Sequence, residues 1–316
     1  KLGGQAKNVD LIIRAGSDLI SHGRFLTLSK WIDDLPDRTV KNNPALLSMR
    51  GGISLSMGNV TKGREYLSQA IEMLRKKDPD RLLVRALLRR ATSYRLLGNI
   101  QMAQEDINDA TKMVSSQEHN KLVLADKDLE QAEIYYRQVK LNDAIRFFDS
   151  AKHRYQILND TEAFAKAEFR TASAYKSSGR LNDAAKCYES ALEFFRKTHN
   201  IIWQASLLNN LGGLQHLLGE YELAVGSFEQ SIEYSRLGGI PTSEAYALTS
   251  MGDAYLDLNA FQEAEEAFRQ ARIIAMKNED NYLLFYIELS ESELNRLYGR
   301  MEQARGFHIG ALKRAE

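Results

Sequence analysis

The sequence is poor in the residue types that cross-link secreted domains or bind metal ions. A single cysteine, Cys187, excludes an internal disulfide framework and fits a reducing cytoplasm. The histidines are dispersed, with no i, i+4 pair and no H-E-x-x-H string, so we expect no metal site and no other cofactor. They are His22, His119, His153, His199, His216 and His308.

Charge of one sign, long apolar runs and phosphate-binding loops are also missing. Lys and Arg number 42 and Asp and Glu number 42, whereas nucleic-acid-binding domains usually carry a basic excess. No apolar stretch approaches the ~18 residues that a membrane-spanning helix needs. The sequence has no Gly-Lys dipeptide, so a G-x-x-x-x-G-K-[ST] loop is excluded. We therefore expect a cytoplasmic chain that contacts neither membrane nor nucleic acid.

What the sequence does contain is a repeat of about 40 residues. A turn residue, usually Gly, is followed five residues later by a small residue, and an aromatic or branched residue follows four positions after that. The turn positions are Gly23, Gly58, Gly98, Val139, Gly179, Gly219, Asn259 and Gly299. Eight units at this spacing predict one repeat array that covers the chain.

The pattern predicts two helices per unit and about sixteen helices in all. Gly supplies the left-handed backbone that ends the first helix, small residues let the two helices approach, and aromatic residues fill the space between units. Because Val139 lacks the freedom of Gly, we expect a different turn in its unit. All four prolines fall between units, and strand-like alternation is absent. The predicted single domain, 1–316, comprises units 9–40, 41–78, 79–119, 120–159, 160–199, 200–239, 240–279 and 280–316.

The order of small residue, Tyr, Gly, Ala, aromatic and Ala resembles the tetratricopeptide repeat (TPR). This resemblance covers essentially the whole chain and implies an all-α fold, a right-handed superhelical solenoid. The family's unit has 34 residues, so the longer period implies longer helices. In this family the first helices line a concave groove that binds partners.

A narrower resemblance lies in residues 22–58. The string Gly23, Leu28, Trp31, Ile32, Leu35, Pro36, followed by Asn43, Pro44 and Leu46, is similar to the start of the repeat domain in MalT-like transcription regulators. There the repeat array is a sensor that binds an inducer or a regulatory protein and controls an ATPase and a DNA-binding module. The chain begins with Lys1, so we expect a piece of such a regulator, with those modules elsewhere.

We interpret the candidate catalytic groups as residues without a catalytic role. We interpret Cys187 as a buried small hydrophobe and the Glu130/Glu133 pair as part of a solvated face, so we expect no enzyme activity. Arg81, Arg85 and Arg89 lie on one helix face, with Arg90 and Arg95 close behind. They form either a patch for an acidic partner or phosphate, or, as we favour, ion pairs with Glu105, Asp106 and Asp109.

The resemblance places the candidate ligand site on the first helices. The predicted contact residues are Arg95, Glu133, Tyr136, Arg137, Lys176, Asn209, His216, Tyr246, Asp253, Asp257, Glu293 and Arg296. Such a mixture of aromatic and hydrogen-bonding groups suits a polar ligand or an extended peptide. Only one of Asn209 and Asn210 can face the groove, where it would bind a peptide backbone.

Three functions follow from these patterns. The leading one is the sensor domain of a MalT-like regulator, which binds a small-molecule inducer or a regulatory protein and changes the curvature of the solenoid. The alternative is a scaffold that binds a peptide or helix of a partner protein in its concave groove. A receptor for a peptide pheromone is the third.

Overall fold

The computed structural model describes residues 2–21, 25–76, 81–113 and 121–315, and these segments are all-helical. The predicted fold class, an all-α tetratricopeptide-type repeat, is confirmed. The described residues form seventeen helices, one more than expected, because residues 37–41 add a short helix in the first unit. The predictions on His22, Gly23, Pro79 and His119 lie outside the described residues, as does the side chain of Arg81.

The helices are arranged in antiparallel pairs after an N-terminal group of three. That group is α1 (Leu2–Ser21), α2 (Phe25–Asp33) and α3 (Asp37–Lys41). The pairs are α4 (Pro44–Ser56) with α5 (Val60–Arg75), α6 (Arg81–Leu96) with α7 (Ile100–Met113), α8 (Lys121–Arg137) with α9 (Leu141–Ile157), α10 (Thr161–Ser177) with α11 (Leu181–Lys197), α12 (Ile201–Leu217) with α13 (Tyr221–Leu237), α14 (Pro241–Asp257) with α15 (Phe261–Lys277), and α16 (Asn281–Leu297) with α17 (Met301–Ala315). None of the described helices is long and apolar enough to cross a membrane.

The chain divides into two compact units, Lys1–Phe164 and Ala165–Glu316. Within the first, α4, α6 and α8 contact one another in sequence, and within the second α12, α14 and α16 do the same. In both units, therefore, the first helices of consecutive pairs lie side by side. That the whole chain forms a single domain stays a prediction.

Capping side chains explain where several first helices begin. The Asn43 side chain accepts hydrogen bonds from the backbone N–H groups of Ala45 (3.0 Å) and Leu46 (3.3 Å), and Pro44 occupies the first helical position. Asn200 and Asp280 cap α12 and α16 in the same way. These oxygens satisfy amide groups that have no partner inside the helix, so the pair boundaries are fixed locally.

Left-handed residues end the first helices, as the turn glycines predicted. Gly179, with φ 77°, donates its N–H to the Lys176 carbonyl, and Arg180 donates to the Tyr175 carbonyl at 2.9 Å. The expectation of a different turn at Val139 was wrong. Val139 has φ 59° and the same two bonds, from its own N–H to the Tyr136 carbonyl and from Lys140 to the Tyr135 carbonyl. This hydrogen-bond pair imposes the conformation, and the exposed valine side chain tolerates it.

Left-handed residues also end the second helices, which the sequence pattern did not reveal. Their positive φ angles recur at Asn159, His199, Gly239 and Glu279, again 40 residues apart. Only one of the four is Gly, so the repeat is hidden at this position.

Small residues and aromatic rings pack together in the core of several pairs. In Ala165–Glu316 the equivalent rings of Tyr188, Phe228 and Phe268, in α11, α13 and α15, are fully buried. A Cβ atom on Gly212 would lie 2.7 Å from the Phe228 ring. The prediction that small residues allow close approach of the two helices is thus confirmed.

Candidate functional site

The first helices of Ala165–Glu316 bring together several predicted ligand-contact residues. We call this surface the first-helix face and define it by Lys176, Asn209, Gly213, His216, Asp253, Asp257 and Ser290. The 40-residue period places equivalent positions of neighbouring first helices side by side. The surface runs across α10, α12, α14 and α16.

Asn209 is the residue on this face with an unmet hydrogen bond. Its Oδ1 atom is buried and has no hydrogen-bond partner. The neighbouring Asn210 is engaged internally, since its Nδ2 donates to the Ser206 carbonyl at 2.9 Å and its Oδ1 accepts from the Tyr188 hydroxyl at 3.5 Å. A buried amide oxygen without a donor costs free energy, so rotation of the Asn209 side chain toward a ligand N–H group would be favourable.

Lys176 supplies a cation beside this amide-bearing helix. Burial lowers the pKa of its ammonium group, and none of the described carboxylates pairs with it. A Cβ atom on Gly213 would be 3.9 Å from the Lys176 Nζ, so the ammonium lies over a position of α12 that carries no side chain. An acidic ligand group would relieve the cost of burying this charge.

His216, Asp253 and Asp257 form a polar cluster between α12, α14 and α16. The His216 Nε2 lies 2.6 Å from the Asp257 Oδ2. Burial raises the pKa of Asp253 to about 6, while a hydrogen bond with Ser290 and the nearby His216 oppose this shift. The Asp253 carboxyl group therefore changes protonation close to neutral pH.

The remaining predicted residues of the second unit belong to α14 and α16. Burial, followed by the charge of Asp280, raises the pKa of the Tyr246 hydroxyl to about 12. Glu293 and Arg296 are exposed and pair with each other on α16, with 2.8 Å between the Arg296 Nε and the Glu293 Oε2. That pair is already satisfied without a ligand.

In Lys1–Phe164 the predicted residues have a different environment. Arg95 and Glu133 each have side chains only 7% exposed, and the Arg95 NH1 is 3.2 Å from the Glu133 Oε2. The Arg95 Nε also donates to the Glu130 Oε2 at 3.3 Å. The interpretation of Glu130 and Glu133 as a solvated face was therefore wrong, because Arg95 from the preceding first helix draws both carboxylates inward. Tyr136 is half-buried and Arg137 is exposed at the end of α8.

The prediction that arginines of α6 pair with Glu105, Asp106 and Asp109 was correct only for Arg90. Arg90 binds Asp106 through both guanidinium nitrogens, at 2.8 and 2.6 Å. Arg85 and Arg89 do not reach Glu105, Asp106 or Asp109. They point toward neighbouring first helices instead, and the Arg89 NH1 lies 3.3 Å from the Ser48 hydroxyl of α4.

The cysteine and the histidines considered for metal binding do not form a metal centre in the described part of the chain. Cys187 is half-buried and packs against the core around Tyr188. Among the described residues, no three His, Cys, Asp or Glu side chains are grouped so as to hold a metal ion.

A cleft on the other side of the second unit was not foreseen. It has a volume of about 690 Å³ and lies between α13, α14 and α15. Leu248, Met251 and Ala267 contribute apolar groups, and Glu229, Glu233, Glu263 and Glu266 surround it. Its residues belong to different helices with no common sequence motif, so no linear signal could have revealed it.

Comparisons with known proteins agree with a protein built from paired-helix repeats. The family model "Tetratricopeptide repeat" matches residues 165–236 and 203–277. The model for anaphase-promoting complex subunit 5 matches residues 48–127. No curated protein sequence matches the chain. The tetratricopeptide repeat model thus matches residues 165–277, and the chain has the fold of tetratricopeptide-repeat proteins.

Solved structures of this fold are similar over most of the chain at low identity. A Rap protein complexed with Competence and Sporulation Factor has a TM-score of 0.68 and 15% identity, covering 100% of this chain and 98% of its own. The Rap conjugation gene regulator of plasmid pLS20, in complex with the Phr* peptide, gives 0.64 and 14%, covering 86% and 73%. A signal-transduction ATPase (STAND) protein with a tetratricopeptide repeat sensor, from Pyrococcus horikoshii, gives 0.65 and 15%. That match covers 98% of this chain and 49% of the other, so this chain spans about half of that protein.

Proposed function

We propose that this chain is a non-catalytic sensor domain that binds an extended peptide on the first-helix face of Ala165–Glu316. The observation that carries the proposal is the buried Asn209 Oδ1, which lacks a donor. An asparagine amide can accept from a peptide N–H and donate to a peptide carbonyl, and such recognition depends little on peptide sequence.

Lys176 adds a preference to this backbone recognition. Its unpaired, partly desolvated ammonium group favours a peptide with an acidic side chain or a free carboxylate near the residue that Asn209 binds. One structural neighbour supports a peptide ligand by analogy, since the Rap conjugation gene regulator is in complex with the Phr* peptide.

The first experiment is a thermal-shift screen of the chain with separate pools of short peptides, sugars and nucleotides. A ligand that binds only the folded state raises the melting temperature in a saturable way. For a peptide hit, we expect Asn209→Ala to weaken binding at least tenfold in calorimetry. Asn278→Ala, an exposed asparagine at the end of α15, is the matched control and should leave the affinity unchanged. Equal affinities of wild type and Asn209→Ala would refute the proposed site.

The more specific function that we propose is that of the sensor domain in a MalT-like regulator. The resemblance of residues 22–58 supports it, as does the similarity to a STAND protein with a repeat sensor. In that role the ligand would contact several first helices and shift their packing, thereby biasing ATPase and DNA-binding modules elsewhere in the full-length protein. A ligand-dependent ATPase rate in the full-length protein would support this role, and deletion of residues 200–239 should abolish the response. A full-length protein without such modules would favour the alternative, a protein-binding scaffold.

A small-molecule inducer remains the second candidate ligand. The polar cluster of His216, Asp253 and Asp257 offers hydrogen bonds to hydroxyl groups as well as to peptides. A saturable shift with one sugar or nucleotide, and with no peptide, would assign the first-helix face to such an inducer.

A further inference from the structure

Two arginines on α6 face the neighbouring first helices in Lys1–Phe164. Arg85 and Arg89 lie one helical turn apart, and both border two cavities of about 170 and 240 Å³. One cavity lies toward Ser48 of α4, and the other lies toward Asp126 of α8. Either cavity has room for a carboxylate or phosphate group, because a water molecule occupies about 30 Å³.

Most hydrogen-bond donors of Arg89 have no acceptor within the described segments of the chain. Its NH1 donates to the carbonyl and the hydroxyl of Ser48, at 3.3 Å each. Its Nε and NH2 atoms, the edge that binds a carboxylate or phosphate in bidentate fashion, have no partner among the described residues. Beside this guanidinium lies Gly52, where a Cβ atom would be 3.5 Å from the Arg89 Cζ.

Arg85 adds a second positive charge without an ion pair. None of the described side chains forms a hydrogen bond or an ion pair with it. Burial, together with repulsion from Arg85, lowers the pKa of Arg89 to about 10, and the charge of Asp126 offsets this only in part. The two guanidinium groups therefore destabilise each other in a partly desolvated place.

The nearby carboxylates are bound to other groups. The Asp126 Oδ1 accepts a hydrogen bond from the Tyr155 hydroxyl at 2.8 Å. Glu130 accepts from Thr92 at 2.8 Å and from Arg95. Neither carboxylate forms an ion pair with Arg85 or Arg89, although both lie beside the same cavity.

We propose that Arg85 and Arg89 form a binding site for an oxyanion, either a carboxylate or a phosphate group, between α4, α6 and α8. The anion accepts from the Nε and NH2 atoms of Arg89 and from Arg85, and its negative charge adds to the partial compensation that Asp126 provides. This site is separate from the peptide site proposed on the first-helix face.

The binding test uses the whole chain with inorganic phosphate and with glutarate, at constant ionic strength maintained with sodium chloride. We expect a saturable rise in melting temperature with at least one of the two anions, and chloride alone should give none. Arg89→Gln should abolish the rise. Arg305→Gln, which removes an exposed arginine of α17, is the control and should respond like wild type. The proposal is overturned if wild type gives no saturable rise with either anion, or if Arg89→Gln responds like wild type.

A second pair of variants tests the location without removing an arginine. Gly52→Asp places a carboxylate next to the Arg89 guanidinium, whereas Gly52→Asn adds an uncharged group of the same shape. We expect Gly52→Asp to melt at a higher temperature than Gly52→Asn and to lose its response to the anion. Gly52→Asn should retain that response. Equal responses of the two variants would show that the anion does not bind at Arg89. A response to phosphate alone, or to glutarate alone, would identify which oxyanion the site accepts.

Discussion

The ring of Phe268 lies directly against the backbone of Gly252, so closely that a Cβ atom there would be 2.4 Å from the ring edge. No side chain other than hydrogen fits without moving the ring or separating α14 from α15. The same relationship joins Gly212 and Phe228 one repeat earlier. The close approach of paired helices thus depends on a specific small residue facing a specific ring.

Gly252→Ala should therefore destabilise the chain even though alanine favours helices. Overpacking in a well-filled core costs about 1–3 kcal/mol, which exceeds the gain in helix propensity of about 1 kcal/mol. Urea unfolding followed by circular dichroism would measure the difference. Gly226→Ala is the control, since Gly226 lies in α13 with no atom near its missing Cβ, and it should stabilise the chain by about 0.5–1 kcal/mol. A stabilising Gly252→Ala would contradict this packing argument.

Val139→Gly should stabilise the chain, because valine is forced into a left-handed conformation in an exposed turn. Val139 is 76% exposed, so removal of its side chain loses little packing. Relief of the backbone conformation should contribute about 1 kcal/mol, less the entropy that glycine adds to the unfolded chain. The reverse exchange in an equivalent turn, Gly179→Val, should destabilise by a similar amount. Thermal unfolding of the two variants checks the sign, and a destabilising Val139→Gly would show that the turn is not strained.

The repeat period made the fold predictable, because turn glycines, small residues and aromatic rings recur at positions whose roles are local. The turn at Val139 could not be predicted from residue preference, since hydrogen bonds at the helix end override that preference. The environment of Glu130 and Glu133 was also missed, because a count of acidic residues ignores the partner on the preceding first helix. Arg95 lies near the end of its helix, as the two glutamates do in theirs. Their similar positions on neighbouring first helices were the sequence signal that could have predicted the contact.

Asn209 illustrates how far the candidate site could be predicted. The period placed it on the first helices, and the adjacent asparagines implied that only one faces outward from the pair. Asn210 forms hydrogen bonds with Tyr188 and Ser206, so Asn209 is the residue whose side-chain oxygen lacks a donor. No short sequence motif encodes those two contacts. The site residues themselves stay a prediction until a ligand is found.

Arg95→Met should strongly destabilise Lys1–Phe164. It removes the guanidinium group that pairs with the Glu130 and Glu133 carboxylates, and removal of one partner from a buried ion pair costs about 3–5 kcal/mol. The triple variant Arg95→Met, Glu130→Gln, Glu133→Gln should recover part of the loss, because no uncompensated charge remains. Arg296→Met, which removes an arginine from an exposed pair, is the control and should unfold like wild type. Denaturant midpoints decide the question, and equal midpoints for Arg95→Met and Arg296→Met would mean that the buried cluster does not contribute to stability.

Asp253→Asn should stabilise the chain at high pH more than at low pH. Because burial raises the pKa of Asp253 to about 6 in the folded chain, the protonated carboxyl group is favoured by folding. That contribution is fully present below the pKa of the unfolded chain, near 4, and is lost as the pH rises through about 6. Above this range wild type buries a carboxylate and Asp253→Asn does not. The variant should therefore be more stable by up to about 3 kcal/mol. Solvent access and the nearby His216 reduce this stability difference. Melting temperatures at pH 4 and pH 8 test this, with Glu222→Gln as a control at an exposed carboxylate of α13. A difference between Asp253→Asn and wild type that is the same at both pH values would show that Asp253 ionises as it does in the unfolded chain.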